Sequence, residues 1–249
     1  MAYGFDPRAT ASPQTPRTAG LEGVGYDAGL RSYMLSVYNY MASGVLLTGI
    51  AALAMVYSGA VLALFNPRTG SLSGLGWLLT LAPLGLVFWL SFGINRMSTG
   101  TAKAVFFAYA GLLGASLSTI LLVYTGSSVA QTFFATAAAF ASLSLWGYTT
   151  KKDLTGWGSF LMVGLVGLVV AMIINMIWPS GPMGLAISAI GVLIFAGLTA
   201  YDTQAIKSIY FTVRGTDVEG KSAIMGALRL YLDFVNMFLF LLRFMGSRD

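Results

Sequence analysis

Residues 157–178 read WGSFLMVGLVGLVVAMIINMIW. The run holds no charged residue, is apolar on every helical face, and carries a tryptophan at each end. A helix crosses the hydrocarbon core of a bilayer with about 20 predominantly apolar residues, and Trp collects at the two interfaces. The segment therefore reads as a transmembrane helix. A membrane β-strand would alternate apolar and polar positions, and this run does not.

The same pattern recurs on both sides of it. Further apolar runs lie at roughly 34–57, 75–94, 104–124, 129–148, 184–206 and 223–243. Turn-forming residues separate them, notably Asn66-Pro67-Arg68-Thr69-Gly70 and Pro179-Ser180-Gly181-Pro182. Links are short except for 207–222, which holds Arg214, Asp217, Glu219 and Lys221. Residues 1–30, rich in Pro, Gly, Ser, Thr and Ala, read as a disordered cytoplasmic tail. They show none of the basic-apolar-small order of a signal peptide. The fold class is an all-α polytopic membrane protein: seven transmembrane helices over 31–249. Composition agrees, because 57% of the 249 residues are hydrophobic and 9% charged, against about a quarter charged in soluble domains.

Charge placement gives an orientation. On the N-terminal side of a seven-span arrangement fall Arg8, Arg17, Arg31, Arg96, Lys103, Lys151, Lys152, Lys207, Arg214 and Lys221. On the other side fall Arg68 and Arg248, with Arg229 and Arg243 inside the last span. Cytoplasmic loops carry the excess of Lys and Arg, so the N-terminus is expected in the cytoplasm and the C-terminus outside. The net charge of +5 needs no nucleic acid, since the basic residues form no stripe. Trp77, Tyr124, Trp146, Tyr148, Trp157 and Trp178 near segment ends fit an interfacial belt. Small residues at Gly44, Thr48, Ala52 and at Gly114, Ser118 suit close helix packing and nothing more.

The chain has no Cys and no His. Disulfides, thiol catalysis, the usual zinc sites and Ser-His or Cys-His nucleophilic catalysis are thereby excluded. What remains is carboxylate chemistry. Of nine acidic residues, only Asp202 and Asp233 fall within apolar runs, where an aspartate costs about 2.5–3.5 kcal/mol on insertion scales. The bland reading of Asp202 is a carboxylate snorkelling to an interface. For Asp233 it is an ion pair with Arg229, one turn earlier, with Asn236 extending the polar face. Both aspartates lie in the cytoplasmic half of consecutive helices, and together they read as a dyad. Two carboxylates in contact cannot both ionise cheaply and share a proton. Protonated, the pair latches two helices; doubly ionised, it repels. Tight Ca²⁺ binding needs six to eight oxygens, so Asp202 and Asp233 as metal ligands suit weak, transient contact during passage.

Two segments carry a family likeness. Gly197-Leu198-Thr199-Ala200-Tyr201-Asp202-Thr203-Gln204, and Leu230-Tyr231-Leu232-Asp233-Phe234-Val235-Asn236 followed by Leu241-Leu242-Arg243-Phe244, resemble the signature segments of the Bax-inhibitor family. Leu30-Arg31-Ser32-Tyr33-Met34 with Val37-Tyr38-Asn39-Tyr40-Met41 resembles the N-terminal segment of its bacterial members. The resemblance covers about 30–245. It implies a fold with the last helix central and, for a bacterial member, a place in the plasma (inner) membrane. It also implies a pH-sensitive calcium leak gated by an aspartate pair, to which Asp202 and Asp233 correspond, with no cofactor. The family latch includes an arginine of the second helix; here that helix offers only Arg96, at its end, and Arg229 is the alternative.

Other classes compete. An intramembrane aspartyl protease also uses a Tyr-Asp pair, as in Tyr201-Asp202, but Leu232-Asp233 lacks a Gly-x-Gly-Asp context and no Pro-Ala-Leu segment occurs. The expectation is therefore no enzyme. A regulatory partner of a membrane protease or stress pathway, and proton-coupled transport, remain as alternatives. A seven-span topology predicts that reporters fused at residue 215 and at the C-terminus report opposite sides of the membrane; the same side for both would overturn it.

Overall fold

In a computed structural model that describes residues 17–247, with side chains from Ala28, the chain forms seven long helices. These are α1 (Arg17–Tyr57), α2 (Gly74–Gly93), α3 (Thr99–Leu117), α4 (Gly126–Thr149), α5 (Thr155–Ile177), α6 (Gly181–Val213) and α7 (Glu219–Met245). All seven are long and apolar enough to cross a membrane. Among the described residues there is no strand, only an isolated bridge between Phe65 and Leu72. The chain alternates between a basic end, where the α2–α3, α4–α5 and α6–α7 links lie, and a far end.

Local chemistry explains the helix ends. Ser73, Ser98 and Thr125 each accept a hydrogen bond from the backbone N–H three residues on, so α2, α3 and α4 start on side-chain caps. In the Asn66–Gly70 turn, Gly70 adopts a φ of 67° and donates its N–H to the Asn66 carbonyl. Gly215, at φ 71°, turns the chain between α6 and α7. That link spans only 214–218, shorter than the 207–222 expected from hydropathy. The reason is that α6 continues past its apolar run, burying Ile206 and Tyr210. Helix α1 likewise starts at Arg17, inside the stretch read as a tail, while residues 1–16 lie outside the described residues.

Packing is centred on α7, the most buried of the spans. It packs on α6, α1, α4 and α3, whereas α2 rests on α3 and α5 on α6. The last helix is therefore central. Close approach depends on missing side chains. A Cβ at Gly114 would strike the Thr48 carbonyl, so the two small-residue stripes of α1 and α3 meet each other. A Cβ at Gly147 would strike the Ala200 carbonyl, which brings α4 backbone to backbone with α6. The perimeter is apolar: Leu46, Phe88, Phe160, Val163 and Leu193 are all exposed, which suits lipid rather than water.

Of the belt aromatics, Trp77, Trp146, Trp157 and Trp178 are exposed near helix ends. Tyr124 is not part of the belt: it is buried, and its ring covers Gly246. The chain after α7 is pinned there, since Ser247 N–H donates to Ser128 Oγ at 2.9 Å and its carbonyl accepts from Thr125 at 3.2 Å. At the basic end, the hydroxyl and amide of Thr155 hold the Asp153 carboxyl below the usual carboxylate range. Replacing Gly114 by Ala forces α1 and α3 apart. Thermal unfolding in detergent is expected to show a loss of about 1–3 kcal/mol, the usual cost of overpacking, and an unchanged midpoint would contradict the contact.

Candidate functional site

The five-residue link 214–218 makes α6 and α7 antiparallel neighbours, because so short a connection allows nothing else. Asp202 lies eleven residues from the end of α6, and Arg229 and Asp233 lie ten and fourteen from the start of α7. This register sets Arg229 at the depth of Asp202 and Asp233 about one turn deeper. The Asp202 and Asp233 carboxyl groups face each other within hydrogen-bonding reach. Asp233 is buried, while the Asp202 side chain is 14% exposed. Arg229 Nη1 stands 3.9 Å from Asp202 Oδ1, its own side chain 47% exposed. The arginine therefore pairs across the seam with Asp202 rather than along its helix with Asp233.

Asp233 Oδ2 is buried and finds no donor among the described residues. A buried acceptor left bare costs about 1–3 kcal/mol, and two carboxylates offer each other acceptors only. A proton shared between them would supply the missing donor. Arg229 offsets one negative charge from the more exposed side.

Asn236 does not join this cluster, since its Nδ2 donates to the Leu232 carbonyl of its own helix at 2.8 Å. Arg96 lies exposed in a short 3₁₀ turn after α2 and makes no ion pair among the described residues. No group of three or more metal-ligating acidic side chains occurs among the described residues. Two carboxylates are too few to hold Ca²⁺ tightly.

Buried hydroxyls brace the pair, and sequence reading missed them. Thr203 Oγ1 donates to the Thr199 carbonyl at 2.7 Å, so it must accept from Ser144 Oγ at 2.9 Å, which in turn accepts from Tyr38 OH at 2.6 Å. This directed chain ties α1 and α4 to α6 at the residue beside Asp202. Two residues before Asp233, Tyr231 OH donates to Thr48 Oγ1 at 2.6 Å, and Thr48 lies 2.9 Å from the Gly44 and Ala110 carbonyls. Gln204 clasps the α4–α5 loop: its Oε1 accepts from Leu154 N–H and its Nε2 donates to the Lys152 carbonyl, both at 2.8 Å. Lys207 reaches back to the Tyr148 carbonyl at 2.8 Å and lies over that ring. A lone Ser or Thr in an apolar run carries no signal of such pairing, because its partner lies on another helix.

Comparison with known proteins adds the family. A family model described as inhibitor of apoptosis-promoting Bax1 matches residues 30–249. The chain belongs to the Bax inhibitor family. An uncharacterized protein of Rickettsia prowazekii is 45% identical over 90% of this chain and 92% of its own length. One from Caulobacter vibrioides is 47% identical over 89% and 90%, and the inner membrane protein YbhL of Escherichia coli 44% over 89% and 94%. The two segments that carry the Bax inhibitor likeness are the ones that bring Asp202 and Asp233 face to face, so the family resemblance and the carboxylate contact coincide. Replacing Gln204 by Leu should speed hydrogen exchange at the Leu154 amide by roughly two- to tenfold, the worth of one neutral hydrogen bond. Unaltered exchange there would count against the clasp.

Proposed function

We propose that this protein is a pH-sensitive calcium leak in the inner membrane of a bacterium, N-terminus cytoplasmic, gated by the proton shared between Asp202 and Asp233. The observation that supports the reading is the donorless Oδ2 of buried Asp233 set against Asp202. With the proton present, α6 and α7 are hydrogen-bonded together at that point. When it leaves, two charges about 4 Å apart repel by roughly 4 kcal/mol at an effective dielectric near 20. Arg229 offsets part of this, on the Asp202 side only. Every 1.4 kcal/mol of bias is about tenfold in population, so loss of one proton suffices to shift the helix pair toward a wetter arrangement. Calcium then passes as cargo, touching carboxylate oxygens weakly.

The charged and titratable groups around the pair are few. Arg229 faces it from α7, its Nη1 3.9 Å from Asp202. The sign follows: low pH closes and rising pH opens. No peptide-cleaving role is proposed, since Leu232-Asp233 lacks the Gly-x-Gly-Asp context. In liposomes of purified protein and lipid, Ca²⁺ flux should rise with pH, and Asp202→Asn should flatten the curve by removing one titrating member. Asp233→Asn should change flux without any protein partner present. Flux that falls steadily with pH, or wild-type curves in both variants, would sink the proposal. Aspartate-dependent proteolysis by the pure protein would replace it.

A further inference from the structure

Between the carboxylate pair and the far end, the α6–α7 seam follows a simple register. One turn from Asp202 and Asp233 lie Leu198 and Met237; a further turn brings Phe195 and Phe240. All four are buried. The two phenylalanine rings stack, centroids 5.8 Å apart and planes 24° off parallel. The Phe240 ring is seated on Gly191, where a Cβ would come 2.6 Å from its Cγ. Helix α6 thus has a hole in the place where α7 presents the Phe240 ring.

The spaces at either end of the seam give that stack a role beyond packing. At the far end a cleft of about 740 Å³ lies chiefly between α5 and α6, reaching Gly184 and Ile187 of α6 and, on its α7 side, Arg243. At the basic end a cavity of about 120 Å³ is lined by Ile206, Lys221, Met225 and Arg229. Ile187 is one turn from Gly191, and Arg243 follows Phe240 by three residues. Along the seam, then, the aromatic stack, the Leu198–Met237 turn and the carboxylate pair stand between the two spaces.

We propose that the α6–α7 seam is the conduction route and that Phe195 and Phe240 form a second, hydrophobic gate in series with the carboxylate pair. This rests on the leak reading above. A constriction lined by apolar rings expels water, and an ion cannot cross it while hydrated. Ionising the carboxylates wets one side of the stack but does not part the rings. The positive charge of Arg243 at the far mouth lowers the local cation concentration, which suits a slow leak.

The chain has no cysteine, so single cysteines report access cleanly in the full protein. In proteoliposomes, a membrane-impermeant charged thiol reagent applied from the C-terminal side should modify Gly184→Cys, part-exposed on the cleft beyond the stack. Leu198→Cys, between stack and carboxylates, should react at least about tenfold more slowly behind a dewetted constriction. Adding Phe240→Ala should bring Leu198→Cys up to the rate of Gly184→Cys; Phe240→Leu serves the same purpose if the alanine variant does not fold. Equal labelling of the two cysteines with the stack intact overturns the gate, as does a Leu198→Cys that stays protected in both Phe240 variants. Calcium flux separates this from the leak reading. Opened labelling together with pH-independent flux keeps the hydrophobic gate and removes the carboxylate one. A pH-dependent flux with unmoved labelling does the reverse.

Discussion

Placing Asp233 inside the central helix is the constraint from which the rest of this structure follows. In lipid there is no water to satisfy a carboxylate, so its partners have to come from neighbouring helices. Of the helices packed on α7, α6, joined to it by five residues, carries a second carboxyl at the matching depth. The Tyr38–Ser144–Thr203 chain then locks α1 and α4 onto α6 beside that contact. Tyr231 does the same for α7 through Thr48. The polar atoms of the bundle are few and nearly all spent on fixing two helices against each other.

Close backbone approach is the other half of the arrangement. Gly147 against the Ala200 carbonyl, and Gly158 under the Tyr201 ring, bring α4 and α5 onto the segment of α6 that carries Asp202. Van der Waals contact between small residues is what holds helices together when lipid competes for every larger apolar face. The site is therefore rigid on the α4 and α1 sides. Space remains beside α6 near both of its ends.

Much of this was readable in the chain. Seven spans follow from apolar runs longer than any soluble core needs, and the dyad from two aspartates standing alone inside them. Depth and partner were harder. Arg229 and Asp233 are one turn apart on α7, so a single-helix reading pairs them. The antiparallel register instead sets Arg229 opposite Asp202, and that register depends on α6 running on to Val213. Hydropathy ended α6 near 206 because it weighs lipid preference, while Ile206 and Tyr210 are buried against protein. The hydroxyl braces and the Gly191–Phe240 contact were invisible, since each joins residues far apart in sequence through packing alone.

Helix α5 touches the bundle chiefly through α6 and shows most of its surface outward. Any tilt of α6 must drag α5 sideways through the acyl chains. Under the proposed gating, the moving body would be a pair of helices, one of them acting as a paddle, and its swing would change the area the protein occupies in the bilayer plane. Work against the membrane's lateral pressure would enter the equilibrium of the carboxylate pair by that route. Thickness and tension of the surrounding lipid would then be variables of the same equilibrium as the proton.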